Sequence, residues 1–225
     1  MNLFGRRNVL LALFAREPDV AGNAPKTLRD AVVEPFHEFI NRAGLREALL
    51  ILALIGVYRI SDVVMGIMAN PFYVDMGYTK AEVATVTKVY GVLMTLLGAF
   101  IGGVMALRWG VMRILMLGAV LSALSNLLFA WLSGHGHDVN ALIAVVSADN
   151  LSSGIASAAF IAYLSSLTNV QYSATQYALL SSMMLLLPKF IAGFSGDFVN
   201  AHGYADFFNA TALLGLPVLI LVALA

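Results

Sequence analysis

The chain has no cysteine and little charge. Without a cysteine among its 225 residues, disulfides, thiolate zinc sites and thiol nucleophiles are excluded. Charged residues make up 12% of the sequence, about half of the ~25% usual in soluble domains. Thirteen basic residues balance thirteen acidic ones, so net charge is zero with histidine neutral. That balance removes the electrostatic reason to bind nucleic acid. The P-loop, GxGxxG, HExxH and GxSxG patterns are missing too. No nucleophile stands next to a base, so an enzyme is not expected, nor a cofactor or a metal.

What fills the space is apolar. Hydrophobic residues make up 60% of the chain and mean hydropathy is +0.84. One soluble core could not hide that much apolar surface, so the chain must use lipid as solvent. A spanning helix needs roughly 20 apolar residues. The sequence predicts an all-α, polytopic membrane protein with six transmembrane helices at about 49–70, 82–107, 114–133, 141–165, 177–197 and 207–225. Turn chemistry separates them: Asn70-Pro71, Gly77 to Lys80, Gly134 to Asp138, and Asn200 to Asp206.

Basic residues orient the bundle. Arg6, Arg7, Arg16, Lys26, Arg29, Arg42 and Arg46 precede the first span. Arg108 and Arg113 lie between the second and third, whereas loops on the other side offer Lys80 alone. Both termini are therefore expected in the cytoplasm. Residues 1–47 are read as a separate unit: the end of a preceding helix at 8–15, a polar loop at 17–30, and a short amphipathic helix at 31–43 on the inner membrane face. The spans occupy 48–225. The last one stops at Ala225 with no basic flank, so the chain is expected to be cut short. His135 and His137, beside Asp138, are read as a solvated outer loop.

Five ionisable residues fall well inside the spans: Arg59, Asp62, Lys88, Asp149 and Lys189. A central charge costs roughly 2.5–3.5 kcal/mol on insertion scales, so the first span carries a penalty of about 5–7 kcal/mol. Its eleven Leu, Ile and Val residues return about 0.3–0.6 kcal/mol each. The helix is barely insertable alone, and its charges need partners or a wet cavity. At 1.5 Å rise per residue, Asp62, Asp149 and Lys189 lie about 12 Å from the outer end of their spans, Lys88 about 9 Å and Arg59 about 16 Å. Four helices thus place charge at a common depth. Such residues mark substrate or proton paths. Arg59, Lys88, Lys189 and neighbouring Asn150 are the candidate ligand contacts, and Asp62 or Asp149 the candidate proton carrier. A plainer reading stands beside this one: Arg59 and Asp62, three apart on one helix, neutralise each other.

Small and proline residues suggest where helices meet or bend. Gly98 and Gly102 form GxxxG, which lets backbones approach. The fourth span is rich in serine: Ser147, Ser152, Ser153, Ser157. Pro188, beside Lys189, is expected to kink the fifth span.

Residues 102–113, GGVMALRWGVMR, resemble a weakened loop motif of the major facilitator superfamily. Gly102, Gly103, Arg108, Gly110 and Arg113 fit, and Leu107 stands where an acid is expected. Residues 149–160, DNLSSGIASAAF, and 173–182, SATQYALLSS, closely resemble the second half of the AmpG muropeptide permeases. So do TLRDAVVEPF at 27–36, TKVYGVLMTLLGAFIGG at 87–103 and LFAREPD at 13–19. The resemblance implies the C-terminal six-helix bundle of a two-bundle transporter, with its N-terminal partner supplied by another chain or a second copy. It implies residence in the bacterial inner membrane and proton-coupled import of sugar-peptide ligands, N-acetylglucosamine joined to anhydro-N-acetylmuramic acid with or without peptide. Asp149 stands where the resemblance implies a glutamate. An acetyl-CoA or other organic-anion transporter, or a chain inactive without an N-terminal half, are the alternatives.

Overall fold

The structure is a computed structural model and describes residues 37–168 and 173–225. The expected helix end at 8–15 and loop at 17–30 lie outside the described residues, as does most of the first half of the expected helix at 31–43. A short helix α1 at 37–43 opens the described chain. It is followed by α2 (Leu45–Val57) and α3 (Ile60–Asp75), then α4 (Lys80–Thr85), a π-helical segment Val86–Gly91, and α5 (Val92–Trp109). Next come α6 (Val111–Leu132), α7 (Val139–Leu167), α8 (Ser173–Ala192), α9 (Ser195–Leu213) and α10 (Gly215–Leu224). Among the described residues there is no strand. Among the described residues five helical stretches are long and apolar enough to cross a membrane: Leu45–Asp75, Lys80–Trp109, Val111–Leu132, Val139–Leu167 and Ser195–Leu224. A shorter apolar helix lies within α8. The chain is a polytopic α-helical membrane protein.

Several boundaries differ from the sequence expectation. Asn70-Pro71 does not end the first span, because α3 runs through Pro71 to Asp75. Proline removes one backbone bond, which an apolar helix with exposed flanks tolerates near its end. The stop comes at Gly77, where the Tyr78 amide donates back to the Tyr73 carbonyl at 3.0 Å and ties off the last turn. Pro188 likewise lies inside α8. The helical run breaks five residues later, at Gly193-Phe194.

Gly203 adopts φ 83, ψ 173 within α9, a region open essentially to glycine. The rings of Phe198 and Phe207 lie 6.1 Å apart. Nine residues of straight helix would separate them by about 13.5 Å, so the chain folds back at Gly203. The turn falls inside the 200–206 stretch. A hairpin of the same kind joins α5 to α6 at Gly110, φ 89 and ψ 150, between Arg108 and Arg113.

The returning limb runs antiparallel to the first span. Tyr204 donates to Asp75 Oδ2 at 2.6 Å, and Ser61 Oγ donates to the Thr211 carbonyl at 2.8 Å. Phe72, Phe129 and Phe208, all fully buried, bring three spans together with ring separations of 5.0 to 6.3 Å. In lipid such contacts act by close packing rather than by release of water. The α5–α7 contact is closer still. A Cβ on Gly98 would sit 2.2 Å from the Leu151 carbonyl oxygen, and one on Gly102 2.8 Å from the Ile155 Cα. From the other side, a Cβ on Gly154 would meet the Thr95 carbonyl at 2.4 Å. The two backbones touch directly.

Candidate functional site

The first span is broken at its middle. α2 ends at Val57, and Tyr58 and Arg59 form the join, with Arg59 at φ −95, ψ 9 capping α3. The Arg59 carbonyl accepts from the Val63 amide at 2.9 Å, and Asp62 falls in the first turn of α3. Arg59 Nη1 donates to Ser157 Oγ at 2.6 Å, and Nη2 reaches Ser153 Oγ at 3.4 Å, both on α7. Nη2 also lies 3.4 Å from Asp62 Oδ2. The pair is mostly enclosed, with side-chain exposures of 19% and 13%.

The network continues through α6. Ser122 Oγ donates to Asp62 Oδ1. One turn on, Ser125 Oγ lies 2.9 Å from the Ser122 carbonyl oxygen and 3.0 Å from Asp149 Oδ1. A continuous polar path therefore runs from Ser157 through Arg59, Asp62, Ser122 and Ser125 to Asp149. It links three spans. Arg59 and Asp62 form the ion pair of the plainer reading, and that pair is hydrogen-bonded to serines of two other spans. Ser122 and Ser125 were not singled out in the sequence, where isolated serines in an apolar helix look like packing residues. Their spacing of three, on one face, is the signal that could have found them.

Of the five charges expected at one depth, three come together here. Lys88 and Lys189 are exposed on the surface of the bundle. The enclosed cluster therefore holds one cation and two acids, not a surplus of positive charge. Lys88 sits in the π-helical segment, whose wider turn is a feature frequent at functional sites. Asn150 is engaged between helices. It accepts from Thr95 Oγ1 at 3.0 Å and donates to the Val146 carbonyl at 2.8 Å, against Gly91.

A second polar group closes one end of the bundle. Thr79 and Glu82 form a capping box at the start of α4. His137 Nε2 lies 3.1 Å from Glu82 Oε2, and Tyr78 donates to the Asp138 carbonyl at 3.0 Å. Burial raises the pKa of the Tyr78 phenol. These bonds pin the 76–79 loop to the 133–138 loop.

A broken apolar helix that buries an Arg–Asp pair against serines of two neighbours defines an integral membrane bundle with an intramembrane charge site. Residues 8–216 match the family described as MFS/sugar transport protein, and the chain belongs to that family. It is similar to AmpG 4 of Rickettsia conorii, 35% identical over 85% of this chain and 45% of that one. It is also similar to the anhydromuropeptide permease of Escherichia coli K12, 34% identical over 95% of this chain and 43% of that one. AmpG 1 of Rickettsia prowazekii is 32% identical over 77% of this chain and 39% of that one. The chain spans less than half the length of these relatives.

Proposed function

We propose that the chain forms one six-helix half of a proton-coupled importer of anhydromuropeptides in the bacterial inner membrane, with both termini in the cytoplasm. The observation that carries this reading is the path from Ser157 to Asp149. It places two carboxylates and a guanidinium inside lipid-spanning helices, at a cost that a purely structural bundle has no reason to bear. The name of the Escherichia coli relative supplies the ligand class. Arg59, Lys88, Asn150 and Lys189 are the ligand-side candidates, because such ligands carry carboxylates and amide-bearing sugars. Asp62 or Asp149 exchanges the proton. Gly98, Gly102, Pro188, Arg108 and Arg113 serve the rocking of the bundle against its partner.

The exposed lysines support a partner bundle. Lys88 and Lys189 face outward from this half, and an ammonium held against hydrocarbon is costly. A second six-helix unit, from another chain or another copy, would enclose them in a shared aqueous cavity. Uptake of a radiolabelled anhydromuropeptide into membrane vesicles tests the reading. The chain is expressed alone and with the first half of the Escherichia coli permease as a second polypeptide. Uptake should follow an imposed proton gradient, be competed by unlabelled anhydromuropeptide and not by acetyl-CoA, and fall at least tenfold with Asp62→Asn and Asp149→Asn together. Full uptake by that double variant would refute the carboxylate assignment.

A further inference from the structure

The hydrogen count at Ser125 separates the two carboxylates. Its hydroxyl has one hydrogen to give. Two oxygens lie within reach, the Ser122 carbonyl at 2.9 Å and Asp149 Oδ1 at 3.0 Å. If Asp149 were ionised, both neighbours would be pure acceptors competing for that hydrogen. If Asp149 is protonated, its own O–H donates to Ser125 Oγ, and Ser125 donates to the Ser122 carbonyl. Every contact then pairs one donor with one acceptor. Unsatisfied polar contacts are costly in a water-poor site, so this count has energetic weight.

Asp62 is placed differently. One of its oxygens faces Arg59 Nη2 and the other accepts from Ser122 Oγ. It has a cation and a hydroxyl donor, which is the environment of an ionised carboxylate. Among the described residues Asp149 takes part in no ion pair. The charged groups that act on it electrostatically are Asp62 and Arg59 of the first span, the latter already engaged with Asp62. The Tyr73 phenol is a further titratable group coupled to it. A second negative charge beside Asp62 would be disfavoured by like-charge repulsion.

We infer that Asp149 is the group in this network that carries the proton. Ser125 positions it, accepting from the protonated carboxyl and passing its own hydrogen to the Ser122 carbonyl, while Asp62 stays ionised against Arg59. The step is a plain exchange. Asp149 gains a proton from water and loses it to water, and the Ser125 hydrogen stays on the Ser122 carbonyl in both states, so Ser125 Oγ bonds the protonated carboxyl alone. The inference rests on the proton-coupled reading and narrows its two candidate carboxylates to one.

Infrared spectroscopy of the purified full chain in liposomes tests this without any substrate. The carboxylic-acid C=O stretch is titrated against pH, and the amide band of the same spectra reports helical integrity. Asp149→Asn should abolish the titrating band, and Asp149→Glu should shift and retain it. Ser125→Ala should lower the midpoint by roughly 0.5–1 pH unit, the equivalent of one hydrogen bond to the protonated form. Ser125→Thr should restore it. A hydroxyl that donates to a carboxylate would have the opposite sign, so a raised midpoint overturns the inference. So does an unchanged midpoint, or a band that vanishes with Asp62→Asn and survives Asp149→Asn. If the band behaves as stated and no vesicle uptake is seen, the import reading fails and the proton assignment stands. If uptake is proton-driven and the band belongs to Asp62, the assignment alone fails.

Discussion

Ser157 accepts a 2.6 Å hydrogen bond from Arg59, ninety-eight residues away and on a different span. This contact, with the weaker one to Ser153, holds the guanidinium across the break in the first span rather than letting it reach toward an end of the bundle. The Arg59–Asp62 pair is then enclosed between α3, α6 and α7.

Removing half of that pair should be worse than removing all of it. Arg59→Met leaves Asp62 enclosed without its cation, at an expected cost of about 3–5 kcal/mol if the pair is fully desolvated and less in proportion to its residual exposure. Arg59→Met combined with Asp62→Leu should recover most of the loss. A double-mutant cycle on thermal unfolding in detergent reads both values. Equal loss in single and double variants would mean that the two groups are not coupled.

The α5–α7 seam has no room for a methyl group. Gly98→Ala should destabilise the bundle by about 1–3 kcal/mol, the range for overpacking, and Gly154→Ala by a similar amount. Gly103→Ala is the control, since nothing lies within 4 Å of a Cβ there. Unfolding midpoints of the three variants should separate accordingly.

Asn126 is fully buried and donates to Ser61 Oγ at 2.8 Å, and Ser61 in turn donates to the Thr211 carbonyl. Ser61→Ala removes an acceptor from one and a donor from the other. A cost of about 1–3 kcal/mol follows from leaving enclosed polar groups without partners, measurable as a lowered unfolding midpoint.

At Gly203 any side chain meets the backbone penalty. Gly203→Ala should cost about 1–3 kcal/mol and weaken the Tyr204–Asp75 bond beside the turn. Limited proteolysis at 200–206 should be faster in the variant than in the parent chain.

Lys88→Gln and Lys189→Gln should change stability by less than about 0.5 kcal/mol, as expected for exposed positions. If these lysines line a shared cavity, both variants lower uptake while leaving the unfolding midpoint in place. A large stability loss would instead place them in the packing of this half.

Much of the architecture was legible in the sequence, because a long apolar run admits few solutions in lipid. The helical class, the apolar spans and the involvement of Arg59, Asp62 and Asp149 all follow from hydropathy and from the cost of charge. Other features were not legible, for identifiable reasons. Rise per residue gives depth, but it says nothing about which way a side chain faces. Lys88 and Lys189 therefore shared a depth with Asp149 without sharing its surroundings. Asn70-Pro71 read as a break because proline weakens a helix, yet α3 runs on through it to Asp75. The break at Tyr58-Arg59 has no proline or glycine at the join to announce it.

The π-helical segment Val86–Gly91 amounts to a change of phase within one helix. Below it, Gly98 and Gly102 are locked against α7. Above it, Thr79 and Glu82 are tied to the 133–138 loop. The loosened turn lets one continuous rod satisfy two registers. Deleting a single residue there would turn the α4 end by about 100° relative to the glycine seam, so the length of this stretch is as fixed as its composition.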